Sequence, residues 1–329
     1  MAAAFREAWQ WSGVDETTPD GPAMVVPMGG SNFVQLENGA DLDVGPKNKK
    51  SKRIKITEVG ASTRGSLEKV KKEQLTLRSE LRFNSGRRTF EIHGLQPAGY
   101  RGEEVQAINT REKNKVEAKL RVVVLKPKTI TVSIRPVQVR DSSGKLVHHS
   151  KLPFDAKKLI EEMKLILTPQ TAIVLSLGLT TPAPVLDEAL IAKLLELKTA
   201  TKAPLPEVVS VDRFKGVFKD LRDPKADVTI FAVQKVGSGL NQNGSAIEQS
   251  GTMDSNLKIG FVADNSNHFF YVRTMAHELA HFLGRYRKPD NTYKGFDDLH
   301  TDADKLMHQG GSGWKIPLEH CLNYFNAGY

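Results

Sequence analysis

Residues 271–284 read YVRTMAHELAHFLG and hold two histidines four positions apart, with a glutamate directly after the first. Their apolar residues recur at intervals of three and four, which predicts an amphipathic helix. On such a helix His277 and His281 lie on one face, so both imidazoles can reach the same ion. Glu278 can reach a water bound to that ion. The stretch therefore predicts a metal site that carries its own base, and imidazole ligands suit zinc.

The flanking residues supply the expected ends of this helix. Asn265 to Asn267, or Thr274, can begin it. Gly284 follows the last apolar residue, and we expect it to end the helix in a left-handed turn, which a Cβ atom disfavours.

The run HELAHFLG at 277–284 resembles the active-site helix of metzincin zinc peptidases, whose pattern H-E-x-x-H-x-x-G-x-x-H adds a third histidine before a methionine-bearing turn. The position of that third histidine holds Arg287 here, and arginine cannot bind a cation. Further on, LHTDADKLMHQGG resembles the segment of third ligand and Met-turn, with His300 and Met307 in those places. The resemblance then implies an inserted loop after Gly284, which its turn-forming residues allow.

Glu319 is the alternative third ligand, because in the other large zincin group a glutamate on a later helix completes the site. The glycine after the second histidine and the placing of Met307 favour His300. Other polar residues of the segment are weaker candidates, and the simplest interpretation of them is as solvated loop residues. They are Asp290, Asp297, Asp298 and His308.

The resemblance implies a zinc metalloendopeptidase, a hydrolase that cuts peptide bonds with metal-activated water. Its metal ligands would be His277, His281 and His300, and its general base Glu278. Met307 would form a structural floor beneath the ligands.

The length of 329 residues exceeds what one hydrophobic core usually organises, so we expect a multidomain chain. From about residue 23 to 126, short apolar runs alternate with turn signals, as in an all-β sandwich. One of these runs is QLTLRSELRF at 74–83. The stretch from RRTFEIHGLQPAGY to KLRVVVLKP resembles bacterial immunoglobulin-like (Ig-like) domains. We predict an N-terminal segment at 1–20, an Ig-like β-sandwich at 21–126 and the metallopeptidase domain at 127–329.

The pattern of the predicted metallopeptidase domain is mixed α and β, with helices expected at residues 155–167, 185–198 and 211–221. Its order of elements resembles the N-terminal subdomain of metzincins, an α+β fold with a mixed sheet and an active-site helix. In that family the edge strand before the helix binds extended substrate by main-chain pairing. The resemblance places this edge at Ile259, Gly260, Phe261 and Val262. The polar loop at 237–254 is long enough to form a flap, and plain disorder is the alternative.

The formal charge is +9, and the first 126 residues hold 22 Lys and Arg against 16 Asp and Glu. Clusters such as KNKKSKR at 47–53 could meet anionic surfaces, or serve solubility alone. Aromatic residues are not interleaved with these charges as base stacking requires, so we expect no nucleic-acid partner.

No apolar run is long enough to cross a bilayer, and the N-terminus lacks the pattern of a secretory signal peptide. We therefore expect a chain that is cytoplasmic at synthesis and that uses a signal-independent route if it is exported. The single Cys321 cannot form an internal disulfide.

The combination of an Ig-like module with a zincin-like tail resembles secreted bacterial effectors or toxins, for which secretion machinery or an immunity protein would be partners. The substrate would then be a polypeptide or the peptides of cell wall. The alternatives are a catalytically inactive zincin-like binding or adhesion protein and a zinc hydrolase specific for cell-wall peptides.

Overall fold

The computed structural model describes residues 2–8, 13–60, 87–98, 101–140, 143, 145–150, 152, 154–185, 218–233, 236–240, 246–249, 251–290, 292–294, 298, 305–307 and 315–326. Contacts between residues divide the chain into two units. The first comprises Met1–Lys128, Lys164–Val174 and Leu299–Asn326, and the second comprises Thr129–Met163, Leu175–Asp298 and Ala327–Tyr329.

Strands outnumber helices in the described residues. The strands are β1 (Ala4–Glu7), β2 (Ala23–Pro27), β3 (Ser31–Glu37), β4 (Asp43–Pro46), β5 (Ile54–Glu58), β6 (Arg88–Gly94), β7 (Glu103–Asn109), β8 (Lys115–Leu125), β9 (Lys128–Arg140), β10 (Leu146–His149), β11 (Ile173–Leu177), β12 (Ala183–Val185), β13 (Val228–Val233), β14 (Val236–Leu240), β15 (Ala246–Gln249), β16 (Gly251–Asp254), β17 (Ile259–Ala263), β18 (Tyr286–Arg287) and β19 (Tyr293–Lys294). The helices are α1 (Ala156–Thr171), α2 (His268–Leu283) and α3 (Leu318–Asn326).

The first unit is built on two four-stranded sheets, one in the order β1-β3-β6-β5 and the other in the order β2-β8-β7-β4. All pairs are antiparallel except β2 with β8, which is parallel. Alternate residues of each strand face a shared core, as the period of two requires. The core includes Phe5, Met24, Val26, Val34, Leu36, Phe90, Ile92, Val105, Leu120, Val122 and Val124.

The N-terminal residues belong to this core, which corrects the separate segment expected at 1–20. Ala4–Glu7 pairs with β3 as a fourth strand of its sheet, and Phe5 is only 1% exposed. The run AFRE is too short for its periodicity to indicate a strand.

Two later segments also join the first unit, so the predicted domain at 127–329 is not continuous. The backbone N–H of Leu318, at the start of α3, donates to Asp15 Oδ2 over 3.0 Å. The N–H of Ile316 donates to Gln170 Oε1 over 2.9 Å. Such long-range side-chain bonds have no local sequence signal.

The second unit is organised by a mixed sheet in the order β10-β9-β13-β17-β16, to which β11 and β12 add by pairing with β9. The strands β9, β13 and β17 are parallel, whereas β16 runs antiparallel to β17. Every residue of β13 is buried, as expected of a parallel strand covered on both faces. The helix α2 packs against β16 and β17.

The sheet order corrects one prediction about the region before α2, and the segment expected as a flap contains strands. Strand β17, which contains Ile259–Val262, is paired on both sides and is not the edge, because β16 is the terminal strand of the described sheet. The expected flap at 237–254 contains the hairpin β14-β15 and then β16. Its Gly, Asn and Ser residues disfavour a strand, and main-chain pairing overrides that local preference.

Some predicted elements lie outside the described residues, among them the strand at 74–83, most of the helix at 211–221 and the helix at 185–198 except for Val185, which is the last residue of β12. None of the described helices is long and apolar enough to span a membrane.

Candidate metal centre

The helix α2 that carries the histidines begins at a side-chain cap. Asn267 has an extended backbone, and its side chain accepts a hydrogen bond from the N–H of Phe270. This satisfies one of the N–H groups that have no partner at a helix start. The helix ends at Gly284 with φ −86° and ψ 4°, so the expected left-handed turn does not form. The Gly284 N–H continues the helical pattern by donating to Ala280 O over 2.9 Å.

The helix brings three side chains together in the way that the sequence predicts. The ligand atoms of His277, Glu278 and His281 all lie within 4.8 Å of one another. The two imidazole rings have centroids 4.8 Å apart and planes at 89°. His277 and Glu278 are buried, at 8% and 5% exposure.

Asp298 completes the cluster, and its Oδ1 atom faces the same nitrogen of both rings. It lies 3.0 Å from His277 Nε2 and 3.4 Å from His281 Nε2. This oxygen is buried, and both imidazole nitrogens lie within hydrogen-bond distance of it. The expectation that Asp298 is a solvated loop residue is therefore wrong, because loop composition does not show where a loop folds back.

The electrostatics of the two carboxyl groups differ. Burial raises the pKa of Glu278, and the imidazoles of His281 and His277 oppose this rise only in part. Burial acts in the same sense on Asp298, but the two facing imidazoles outweigh it and lower the pKa of that carboxyl. The pKa values of the two carboxyl groups are therefore shifted in opposite directions.

Arg273 is a further charged residue near the centre, and sequence reasoning missed it. It lies one helical turn before His277 and is only 7% exposed. Burial lowers the pKa of its guanidinium, whereas the charges of Asp298 and Glu278 act in the opposite direction. Arg273 lies four residues before His277, and this spacing is the sequence signal that could have placed it on the face of the helix that carries the histidines.

Of the other predicted site residues, two belong to the first unit and one lies outside the described residues. His300 lies outside the described residues, so its role stays a prediction. Met307 is 1% exposed and belongs to the first unit. The side chain of Glu319 is 80% exposed and is not part of the described cluster.

The donor set could hold a metal ion, and zinc provides a test of the distances. Two donors at about 2.0–2.1 Å from a tetrahedral zinc lie about 3.3 Å apart. The contacts of 3.0 and 3.4 Å between Asp298 Oδ1 and the two Nε2 atoms are close to that separation. A buried carboxylate oxygen that faces two imidazole nitrogens is an arrangement that an ion between them would stabilise.

Comparisons with known proteins add little. No protein-family model matches the chain, and no curated protein matches it. A solved structure of the titin domains z1z2 in complex with telethonin is similar at 15% identity, over 41% of this chain and 58% of that chain, with a TM-score of 0.14. A score this low does not indicate a shared fold.

Proposed function

We propose that this chain is a zinc-dependent metallopeptidase whose centre lies on α2. The observation that carries the proposal is the convergence of His277 Nε2, His281 Nε2 and Asp298 Oδ1 at 3.0 and 3.4 Å, with the carboxylate of Glu278 beside them. Two imidazoles and one carboxylate, with a further position open, form a usual catalytic zinc set.

Each residue of the centre has a distinct role in this proposal. His277, His281 and Asp298 would hold the ion, and His300 is the alternative third ligand. When bound, zinc supplies Lewis acidity, which lowers the pKa of water and polarises a carbonyl group. Glu278 is not needed as a ligand and acts as the general base. Its carboxylate accepts a proton from water and returns it to the departing amine nitrogen.

The burial of Glu278 supports its role as the base. An exposed glutamate has a pKa far below neutrality and holds a proton weakly. Burial raises the pKa of Glu278, so its carboxylate is a better proton acceptor than an exposed one. The same burial keeps bulk water from competing at the carboxylate.

The edge strand β16 supports a polypeptide substrate. It ends the described sheet and packs against α2, and a Cβ atom added to Gly251 at its start would meet the side chain of Glu278. A free strand edge binds an extended chain by main-chain hydrogen bonds, with little demand on side-chain sequence. We place the substrate-binding edge at Gly251–Asp254, in place of the edge expected at Ile259–Val262.

The first unit supports the Ig-like part of the proposal. Its two sheets enclose one core, and its first two strands, β1 and β2, belong to opposite sheets. Two packed sheets of this size are typical of Ig-like sandwiches. Such a module would serve docking or spacing for the catalytic unit.

The experiment is metal analysis of protein purified without added zinc, followed by hydrolysis assays on casein and on purified cell-wall sacculi. We expect stoichiometric zinc, and hydrolysis that a chelator abolishes and added zinc restores. Casein cleavage would identify a general endopeptidase, and release of peptides from sacculi alone would identify a cell-wall enzyme. Bound zinc without hydrolysis of either substrate would favour an inactive zincin-like binding protein.

A further inference from the structure

The main chain at the start of β16 approaches the side chain of Glu278 unusually closely. A Cβ atom added to Gly251 would lie 2.6 Å from Glu278 Oε1, 2.7 Å from its Cγ and 2.8 Å from its Cδ. Ordinary contacts between carbon atoms are about 3.5–4.0 Å. The glutamate therefore occupies the volume that the side chain of any other residue at position 251 would need.

The backbone conformation of Gly251 does not explain the glycine. Its φ lies outside the left-handed region, unlike that of Gly102 (φ +68°). A residue with a Cβ atom could adopt the same backbone without strain. Gly251 also lies within a strand, where glycine lacks a side chain to pack and often marks a close approach of another group. Position 251 therefore requires glycine because Glu278 leaves no room for a side chain there.

A neighbouring glycine shows what distinguishes Gly251. A Cβ atom on Gly260 would lie 2.6 Å from Met253 Cε, the end of a flexible side chain that can move aside. At Gly251 the contact includes the stem of Glu278, not only its tip. The glutamate is only 5% exposed, and it lies among His277, His281 and Asp298.

We propose that Gly251 is a positioning residue for Glu278. The bare main chain of β16 fixes where the carboxylate lies, and any side chain at position 251 displaces it from the metal centre. The catalytic consequence rests on the function proposed above, whereas the steric coupling between Gly251 and Glu278 does not.

The first test is a double-mutant cycle on the full chain, with thermal unfolding as the readout. We expect Gly251→Ala to lower the melting temperature by about 4 °C. In the Glu278→Ala background the same substitution should cost little, because the clashing side chain is gone. The control is Gly45→Ala, a strand glycine with nothing within 4 Å of an added Cβ, which should behave alike in both backgrounds.

This cycle decides the steric part without any assay of activity. An equal loss in both backgrounds, or no loss in either, overturns the proposal. A further outcome is that Gly251→Ala alone does not fold. In that case, a double variant Gly251→Ala/Glu278→Ala that folds supports the steric proposal, and a double variant that also fails to fold overturns it.

The second test compares hydrolysis and zinc affinity. Displacing a reacting group by about 1 Å can cost about a hundredfold in rate. We expect Gly251→Ala to lower kcat by about that factor while KM and zinc affinity stay near the wild-type values. A kcat close to the wild-type value would overturn the positioning role. A wild-type chain with no hydrolysis would refute the proposed function and leave the unfolding cycle to decide the coupling.

Discussion

The Oδ1 atom of Asp298 lies 3.0 Å from the Nε2 atom of His277. It also lies 3.4 Å from the same nitrogen of His281, so one oxygen faces both predicted ligands. We therefore expect Asp298→Ala to lower zinc affinity by at least about a hundredfold, because the loss of a direct ligand should cost at least as much as the loss of an outer partner. Competition with a chromophoric chelator measures the affinity directly.

The matched variant for this prediction is His300→Ala, which removes the ligand that the family resemblance implies. If Asp298 is the third ligand, His300→Ala should change the affinity by less than about tenfold. Loss of zinc in His300→Ala and retention in Asp298→Ala would reverse the assignment and make Asp298 an outer partner.

Glu278→Gln should separate metal binding from catalysis. Glutamine has nearly the same shape, but its amide cannot accept a proton from water as a carboxylate can. We expect zinc content to stay stoichiometric and kcat to fall by about a hundredfold to ten-thousandfold. Casein hydrolysis and metal analysis on one preparation provide the measurement. A variant that keeps full hydrolysis would exclude Glu278 as the base.

Local patterns predicted most of the described elements and three of the four residues of the candidate cluster. The spacing of His277 and His281 on an apolar-striped helix is a short-range property, and the helix α2 has the predicted face. Apart from β1, the strands of the first unit follow from short apolar or alternating runs and turn residues in the same way. These features need no information about distant parts of the chain.

The features that local patterns missed depend on long-range packing. Asp298 lies in a polar loop, and only its folded path brings it to the histidines. The sequence placed Gly251 only within an expected flap, because no nearby residue shows that Glu278 lies beside it in the fold. The sequence placed the edge at β17 instead of β16. A run such as Ile259–Val262 has the same sequence pattern whether the strand is paired on one side or on both.

A buried pair at the start of α2 should stabilise the second unit. His268 Nε2 contacts Glu162 Oε2 of α1, and the Glu162 carboxyl is almost fully buried. The ring of Phe154 packs edge-on to His268 at 4.2 Å. We expect Glu162→Gln to lower the free energy of unfolding by about 1–3 kcal/mol, because hydrogen bonds to charged groups contribute about that much. Urea denaturation monitored by circular dichroism measures the change.

The control is Glu161→Gln, a neighbouring glutamate on the exposed face of α1. It should change the free energy of unfolding by less than about 0.5 kcal/mol, as surface substitutions usually do. Equal effects of the two substitutions would show that the buried pair adds no stability of its own.

The first unit should lose stability in mild acid because of His320 in α3. This residue is only 3% exposed, and burial together with the charge of Lys305 lowers its pKa to about 4. In the unfolded chain a histidine titrates near pH 6.5. Between these values the unfolded state binds the proton and the folded state resists it, so stability falls as the pH drops from about 6.5 to about 4. The loss is at most about 3 kcal/mol.

Urea titrations at several pH values across this window provide the measurement. His320→Gln cannot take up the proton in either state, so we expect its free energy of unfolding to fall less steeply with acid than that of the wild type. The two curves should differ in slope only between about pH 4 and pH 6.5, because outside that range His320 has the same protonation in both states. Parallel curves throughout would mean that the buried imidazole does not contribute to the acid sensitivity of the fold.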